Sequence, residues 1–154
     1  MKSGPPSSSL TASQTKPAKV AGRFYNEPLL DFAVKENRDK MKIALANFRK
    51  EFGTTYSPMI DGKKVASQDL HDRENPSAVN EIVGKIAMAS VPDADRAVAS
   101  AKEFYPKWRK ETPQTRANIL KKWSALMKCD RFRLIAIEVF ETGKPWAEAD
   151  NRKT

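Results

Sequence analysis

The residues able to do chemistry are few in kind. The chain has one cysteine, Cys129, and one histidine, His71. A single cysteine excludes an internal disulfide and fits a reducing compartment. Cys129 lies in a helical pattern between Lys128 and Asp130 with no base partner in view, so it reads as a bystander thiol rather than a nucleophile. His71 stands between Leu70 and Asp72 without a second ligand type at metal-like spacing. Gly62, Gly84 and Gly143 are isolated, and neither GxGxxG nor GxxxxGK[ST] occurs, so no phosphate-cradling loop is present. Carboxylates are plentiful, but none is set in an apolar context that would raise its pKa for acid–base work. Glu138 and Glu141 lie three apart on one predicted helix, with Arg116 and Arg131 available to form structural ion pairs; Arg116 is the expected partner. Trp108, Trp123 and Trp146 sit in helical or helix-corner patterns and read as packing residues rather than base-stacking ones. No catalytic, cofactor-binding or metal-binding residue is assigned on these grounds.

The elements that would position such residues follow from periodicity. Arg23 to Phe32 reads as an extended arm. Met41, Ala44, Leu45, Phe48 and Phe52 recur at helical spacing and predict a helix over 34–52, capped by Asp31 or Asn37 and stopped at Gly53. Residues 57–60 and 63–66 flank Asp61-Gly62, a pair suited to the positive φ angles of a tight hairpin. The polar stretch 67–81, with Asn75-Pro76, predicts a loop, and 82–88 a further β segment. Asp93 is the expected cap of a helix over 94–105 that Pro106 ends. Thr112-Pro113 opens a helix to about Lys128, and Asp130 is expected to cap another to Thr142. That last helix is apolar on more than one face, as in an element buried between layers. Gly143 then suits a left-handed helix stop, and Pro145 the first turn of a new helix carrying Trp146.

A chain of 154 residues is long enough for one domain with a core and short for two. No apolar run approaches the ~18 residues of a membrane span. The net charge is +9, but the basic residues are spread in short steps such as Lys63-Lys64 and Lys121-Lys122, which reads as a solvated surface. Residues 1–22 are rich in Ser, Pro, Thr, Ala and Lys and carry no acid. They read as a disordered tail or a linker remnant, without the apolar stretch of a secretory signal.

The order of the signals adds a resemblance. Asn26-Glu27-Pro28, Ile60-Asp61-Gly62, Asn75-Pro76, Ile82-Val83-Gly84, Asp95-Arg96-Ala97-Val98, Trp108, Arg116-Ala117 and Glu141-Thr-Gly-Lys-Pro-Trp-Ala-Glu-Ala-Asp150 form one series. In that order they resemble the N-terminal portion of an aldehyde dehydrogenase. Within that superfamily they are most similar to the 1-pyrroline-5-carboxylate dehydrogenase branch, which oxidises L-glutamate γ-semialdehyde to glutamate with NAD in proline catabolism. The resemblance covers about residues 24–150. It implies an α/β fold: the mostly helical first part of the NAD-binding domain, with a β-hairpin, a further strand and an incomplete Rossmann-like sheet. By this reading residues 1–22 are a tail, or a linker from a bifunctional proline-oxidising enzyme. Residues 23–150 form the domain portion and 151–154 a truncated end.

The same resemblance places the family's cysteine nucleophile, glutamate base, oxyanion-stabilising asparagine and NAD-binding units outside this sequence. Cys129 does not match the nucleophile motif. NAD is the family's cofactor, and tight binding by this chain is not expected. Some members carry a monovalent-cation site near the loop before Asn75-Pro76 and the turn at Glu141. That neighbourhood holds Glu74 and Glu141 here, and neither is assigned as a ligand. The implied partners are the remainder of the dehydrogenase or a second copy through exposed apolar helices, including Leu134, Ile135, Val139 and Phe140. A membrane partner is not expected and nucleic acid is disfavoured. The implied compartment is the cytoplasm, or the mitochondrial matrix in a eukaryote. The competing reading is a basic helical binding module without catalysis, binding nucleic acid.

Overall fold

The computed structural model describes residues 25–151; the expected tail over 1–22 and most of the end at 151–154 lie outside them. Five helices and five strands follow in the order α1 (Lys35–Arg49), β1 (Thr55–Tyr56), β2 (Met59–Ile60), β3 (Lys63–Lys64), β4 (Leu70–Asn75), β5 (Ala78–Ala87), α2 (Val91–Trp108), α3 (Pro113–Cys129), α4 (Arg131–Thr142) and α5 (Trp146–Asp150). β5 is the centre of a three-stranded sheet. It pairs in parallel with β1 (Thr55 beside Lys85) and antiparallel with β4 (Leu70 beside Ala87).

The hairpin is as expected. β2 and β3 pair antiparallel across Asp61 (φ 51°) and Gly62 (φ 71°), the two left-handed residues of a primed turn. The predicted loop over 67–81 is instead largely strand. Six of its residues form β4, and Asn75-Pro76 belongs to the reversal into β5, which starts at Ala78. The polar sequence misleads because most of β4 faces water, with only Asn75 buried. A strand without an apolar face has no period-2 signal to read.

The helix ends need four corrections. Neither Asp31 nor Asn37 caps α1. Asp31 instead builds the preceding turn: its Oδ1 accepts from the Ala33 N–H, and its carbonyl from the Val34 N–H and Asn37 Nδ2. α2 starts at Val91 rather than 94, because Ser90 and Asp93 form a reciprocal capping box: each side chain accepts the other's backbone N–H. Pro106 does not end α2, which runs on to Trp108; in the last turn its missing N–H costs one bond only. Asp130 joins α3 to α4 through its backbone, and its side chain caps nothing. Thr112 caps α3 as expected, its Oγ1 accepting from the Thr115 N–H at 3.1 Å. Gly143 ends α4 at φ 70°. The left-handed conformation favours glycine, and a Cβ there would also lie 3.2 Å from the Pro76 ring, a tight contact.

The core lies where α1, α4 and α5 meet the sheet. Met41 and Phe48 from α1, Val83 from β5, Ile135 and Ala136 from α4 and Ala149 from α5 are its buried members. Phe48, Phe52 and Phe140 extend it, the Phe52 and Phe140 rings meeting edge to face at 5.0 Å. Of the α4 residues expected to stay partly exposed, Leu134, Val139 and Phe140 are half-buried, whereas Ile135 is fully buried. α4 is apolar on more than one face because it packs on α1, β4 and α5 at once.

Candidate functional site

Three of the motif segments converge in space. At the α4–α5 corner, Gly143 lies against Pro76 of the β4–β5 turn. Asn75 is buried there; its Nδ2 donates to Glu81 Oε2 at 2.9 Å, and its Oδ1 accepts the Ser77 N–H at 2.9 Å. Arg49 holds the same Glu81 oxygen at 3.0 Å. At the far end of the corner, Arg131 grips Asp150 with two bonds of 2.7 Å and donates to the Pro28 carbonyl at 2.8 Å. The Leu30 N–H donates to the same carboxylate at 2.6 Å. Asn26-Glu27-Pro28 and the Glu141–Asp150 run are thus one structural unit.

These groups are mutually satisfied, which is what a scaffold needs and an acid–base catalyst does not. Glu138 accepts from Lys144 Nζ at 2.6 Å, and that hydrogen bond raises the Lys144 pKa above its ordinary value. Glu51 is held below its usual range chiefly by its hydrogen bond from Arg133 at 2.7 Å. The expected pair between Arg116 and Glu138 or Glu141 does not form among the described residues; Lys144, six residues from Glu138 across the Gly143 turn, is nearer to hand. Arg131 does pair, but with Asp150. Glu141 borders a small cavity of about 150 Å³ with Arg73, Arg133 and Tyr56 among its walls. Glu74 is exposed on β4, paired in register with Ile82. Among the described residues no three His, Cys, Asp or Glu side chains gather as a metal site.

Cys129 is exposed at the last residue of α3, and His71 is exposed on β4, 3.3 Å from Asp69. The start of α2 is a poor seat for a dinucleotide pyrophosphate. The natural place for a pyrophosphate is a helix N-terminus just after a strand, and among the described residues β5 to α2 is the one strand-to-helix junction of that kind. The Ser90 and Asp93 N–H groups there are already taken up by the Ser90–Asp93 box. The Asp93 carboxylate, its pKa lowered to about 2 by bonds from the Ser90 side chain and backbone and from Arg96, would repel an anion.

The other conspicuous feature is open apolar surface. α3 has no buried residue, and Leu120 and Trp123 are each 60% exposed on it. Trp123 therefore is not the packing residue its spacing predicts. Trp108 and Trp146 are half-buried, Trp146 meeting Phe32 edge to face at 5.6 Å. On α2, Val98, Phe104 and Tyr105 are more than half exposed, and a groove of about 1100 Å³ separates this helix from the β2–β3 hairpin.

Residues 64–153 match the model of the aldehyde dehydrogenase family. The chain belongs to that family. Its relatives include 1-pyrroline-5-carboxylate dehydrogenase from Staphylococcus haemolyticus, 34% identical over 126 residues, and 1-pyrroline-5-carboxylate dehydrogenase 1 from Halalkalibacterium halodurans, 37% identical over 127. Each alignment takes in 82% of this chain but only 24–25% of the relative, so the chain spans about a quarter of their length. Among solved structures, proline utilization A from Bdellovibrio bacteriovorus superposes with a TM-score of 0.84 at 45% identity, over 86% of this chain and 14% of that one. The Thermus 1-pyrroline-5-carboxylate dehydrogenase with bound NAD superposes at 0.82 and 35% identity, over 86% and 26%. The fold is therefore a partial aldehyde dehydrogenase α/β domain, similar to the 1-pyrroline-5-carboxylate dehydrogenases.

Sequence reasoning passed over the Arg131–Asp150 grip. One signal was available: Asp150 follows the apolar pair Trp146 and Ala149 in a short helix, and a carboxylate carried into a core by such neighbours needs a cation.

Proposed function

We propose that the chain is the scaffold portion of an NAD-dependent 1-pyrroline-5-carboxylate dehydrogenase, and that its own residues perform no chemical step. The reaction of the complete enzyme is oxidation of L-glutamate γ-semialdehyde to glutamate in proline catabolism, in the cytoplasm of a bacterium or the mitochondrial matrix of a eukaryote. The likeness to 1-pyrroline-5-carboxylate dehydrogenases over most of this chain, in sequence and in fold, carries the reading. The open faces of α2 and α3 support its second half. In this reading they dock on the remainder of such a dehydrogenase, and pair with a second copy when that remainder is missing, since large exposed apolar patches mark interaction surfaces. Among the described residues no helix is long and apolar enough to cross a membrane.

Aldehyde oxidation by a thiol route needs a positioned nucleophile and donors aimed at the developing oxyanion. Loss of a single such donor costs about 10²–10³ in rate, and the described residues assemble neither part. The test is NADH absorbance with purified chain, NAD and pyrroline-5-carboxylate, beside Cys129→Ser and beside a mixture with the remaining three quarters of a relative. The chain alone gives no turnover, and activity, where restored in the mixture, is indifferent to Cys129→Ser. Turnover by the chain alone that vanishes in Cys129→Ser would make Cys129 a nucleophile and end this reading. The +9 charge suits the rival binding module, for which salt-sensitive capture of nucleic acid is the sign.

A further inference from the structure

The two ends of the described body meet at one buried carboxylate. The Asp150 side chain is 2% exposed and accepts three hydrogen bonds, two from Arg131 and one from the Leu30 N–H, across 120 residues of sequence. The same Arg131 also holds the Pro28 carbonyl. We infer that Asp150 is the pin of a two-ended clasp, by which the arm over 25–32 and helix α5 dock together and release together. α5 has five residues and no side-chain cap, too short to be stable by itself. The arm has no regular backbone pairing of its own. Each is therefore ordered in part by the other, through Asp150 and through the contact of Phe32 with Trp146, beside the packing of Ala149, Leu30 and Phe32 on the core. If α5 frays, Leu30 loses its acceptor; if the arm lifts, Asp150 and Trp146 meet water. Such coupling is reciprocal. A force or partner that lifts the arm is thereby felt at α5.

The experiment reads amide hydrogen exchange in the full chain, using variants that perturb one end while the other is observed. Leu30→Pro deletes the arm's donor to Asp150 and alters no residue of α5 and not Arg131. It accelerates exchange at Glu148, Ala149 and Asn151 by roughly ten-fold, within the usual range for coupled sites, with α1 and β5 unchanged. Glu148→Gly weakens α5 from its exposed side and accelerates exchange at Leu30. Lys144→Ala breaks a different ion pair at the same corner and leaves both ends protected. Wild-type exchange in α5 of Leu30→Pro overturns the clasp. So does protection lost equally through α1 and β5, because the arm would then belong to the global unit.

Discussion

Helices α3 and α4 are consecutive, joined at the single residue Asp130, and both carry an apolar stripe; yet α3 buries nothing and α4 holds the centre of the core. The difference is not in the stripes themselves. α4 has three neighbours within reach, α1, β4 and α5, and its side chains close against Met41, Phe48, Val83 and Ala149. α3 touches the rest of the described body chiefly at its junction with α4. An amphipathic sequence states that a partner is needed, not where the partner lies. The lesson extends to α2, whose one buried residue is the capping Asp93 rather than an apolar side chain. The molecule has a closed half, stabilised by burial, and an open half whose helices rest on their caps and junctions.

The largest effect belongs to the closed half. Ile135 is fully buried, and Ile135→Ala should lower the unfolding free energy by about 2–5 kcal/mol, the usual cost of such a cavity. Urea unfolding followed by circular dichroism measures it. A loss under ~1 kcal/mol would mean that α4 is not the centre of the core and that the division into two halves is misplaced.

A middle-sized effect tests how the open half is held. If α2 rests on its cap, Ser90→Ala should cost about 1 kcal/mol, the typical value of an N-cap side chain, whereas truncating the exposed Val98 should cost less. The cap also sets a pH dependence. The folded Asp93 titrates at about 2, below its ordinary 3.8, because Ser90 and then Arg96 stabilise its charged form. A lowered carboxylate pKa contributes stability that is present above the ordinary value and is lost as pH falls through the folded one. Helix content should therefore decline between about pH 4 and pH 2 with an Asp93 component. Asp93→Asn should remove that component. An unchanged acid profile in Asp93→Asn would show that the box does not hold α2.

How much of this was legible follows the same division. The hairpin turn at Asp61-Gly62, the Thr112 cap and the Gly143 stop were readable because each depends on one or two residues of local chemistry. β4 was not, since a strand exposed on its length leaves no apolar alternation. The cap of α2 was misplaced by three residues because Asp93 is a fair cap by type, while the reciprocal partner that settles the matter is Ser90. At the corner, the sequence offers Arg131 only as an arginine available to Glu138 or Glu141, with Arg116 as the expected partner, and Arg131 pairs with neither acid. Its true partner lies 19 residues on, beyond a helix end and a left-handed turn, and sequence spacing carries no information about such a reversal. Trp123 misled for the opposite reason: its helical register is that of a packing residue, and the surface it would pack on is not among the described residues.

The smallest effect on stability should come from that residue, and it sharpens the comparison most. Trp123 is 60% exposed, so Trp123→Ser removes little buried area. In dilute solution the unfolding free energy should stay within ~0.5 kcal/mol of the wild type, as for surface substitutions in general. Association is another matter. Trp123 shares the open face of α3 with Leu120 and Leu126, and a contiguous apolar face of that kind drives self-contact when nothing else covers it. Sedimentation at increasing concentration should show the wild type associating and Trp123→Ser doing so less, with Leu120→Ser in addition reducing it further. Ile135→Ala offers the contrast: it should weaken folding without relieving association. A Trp123→Ser chain that unfolds as readily as Ile135→Ala would place Trp123 in a closed core, and the open half would not exist.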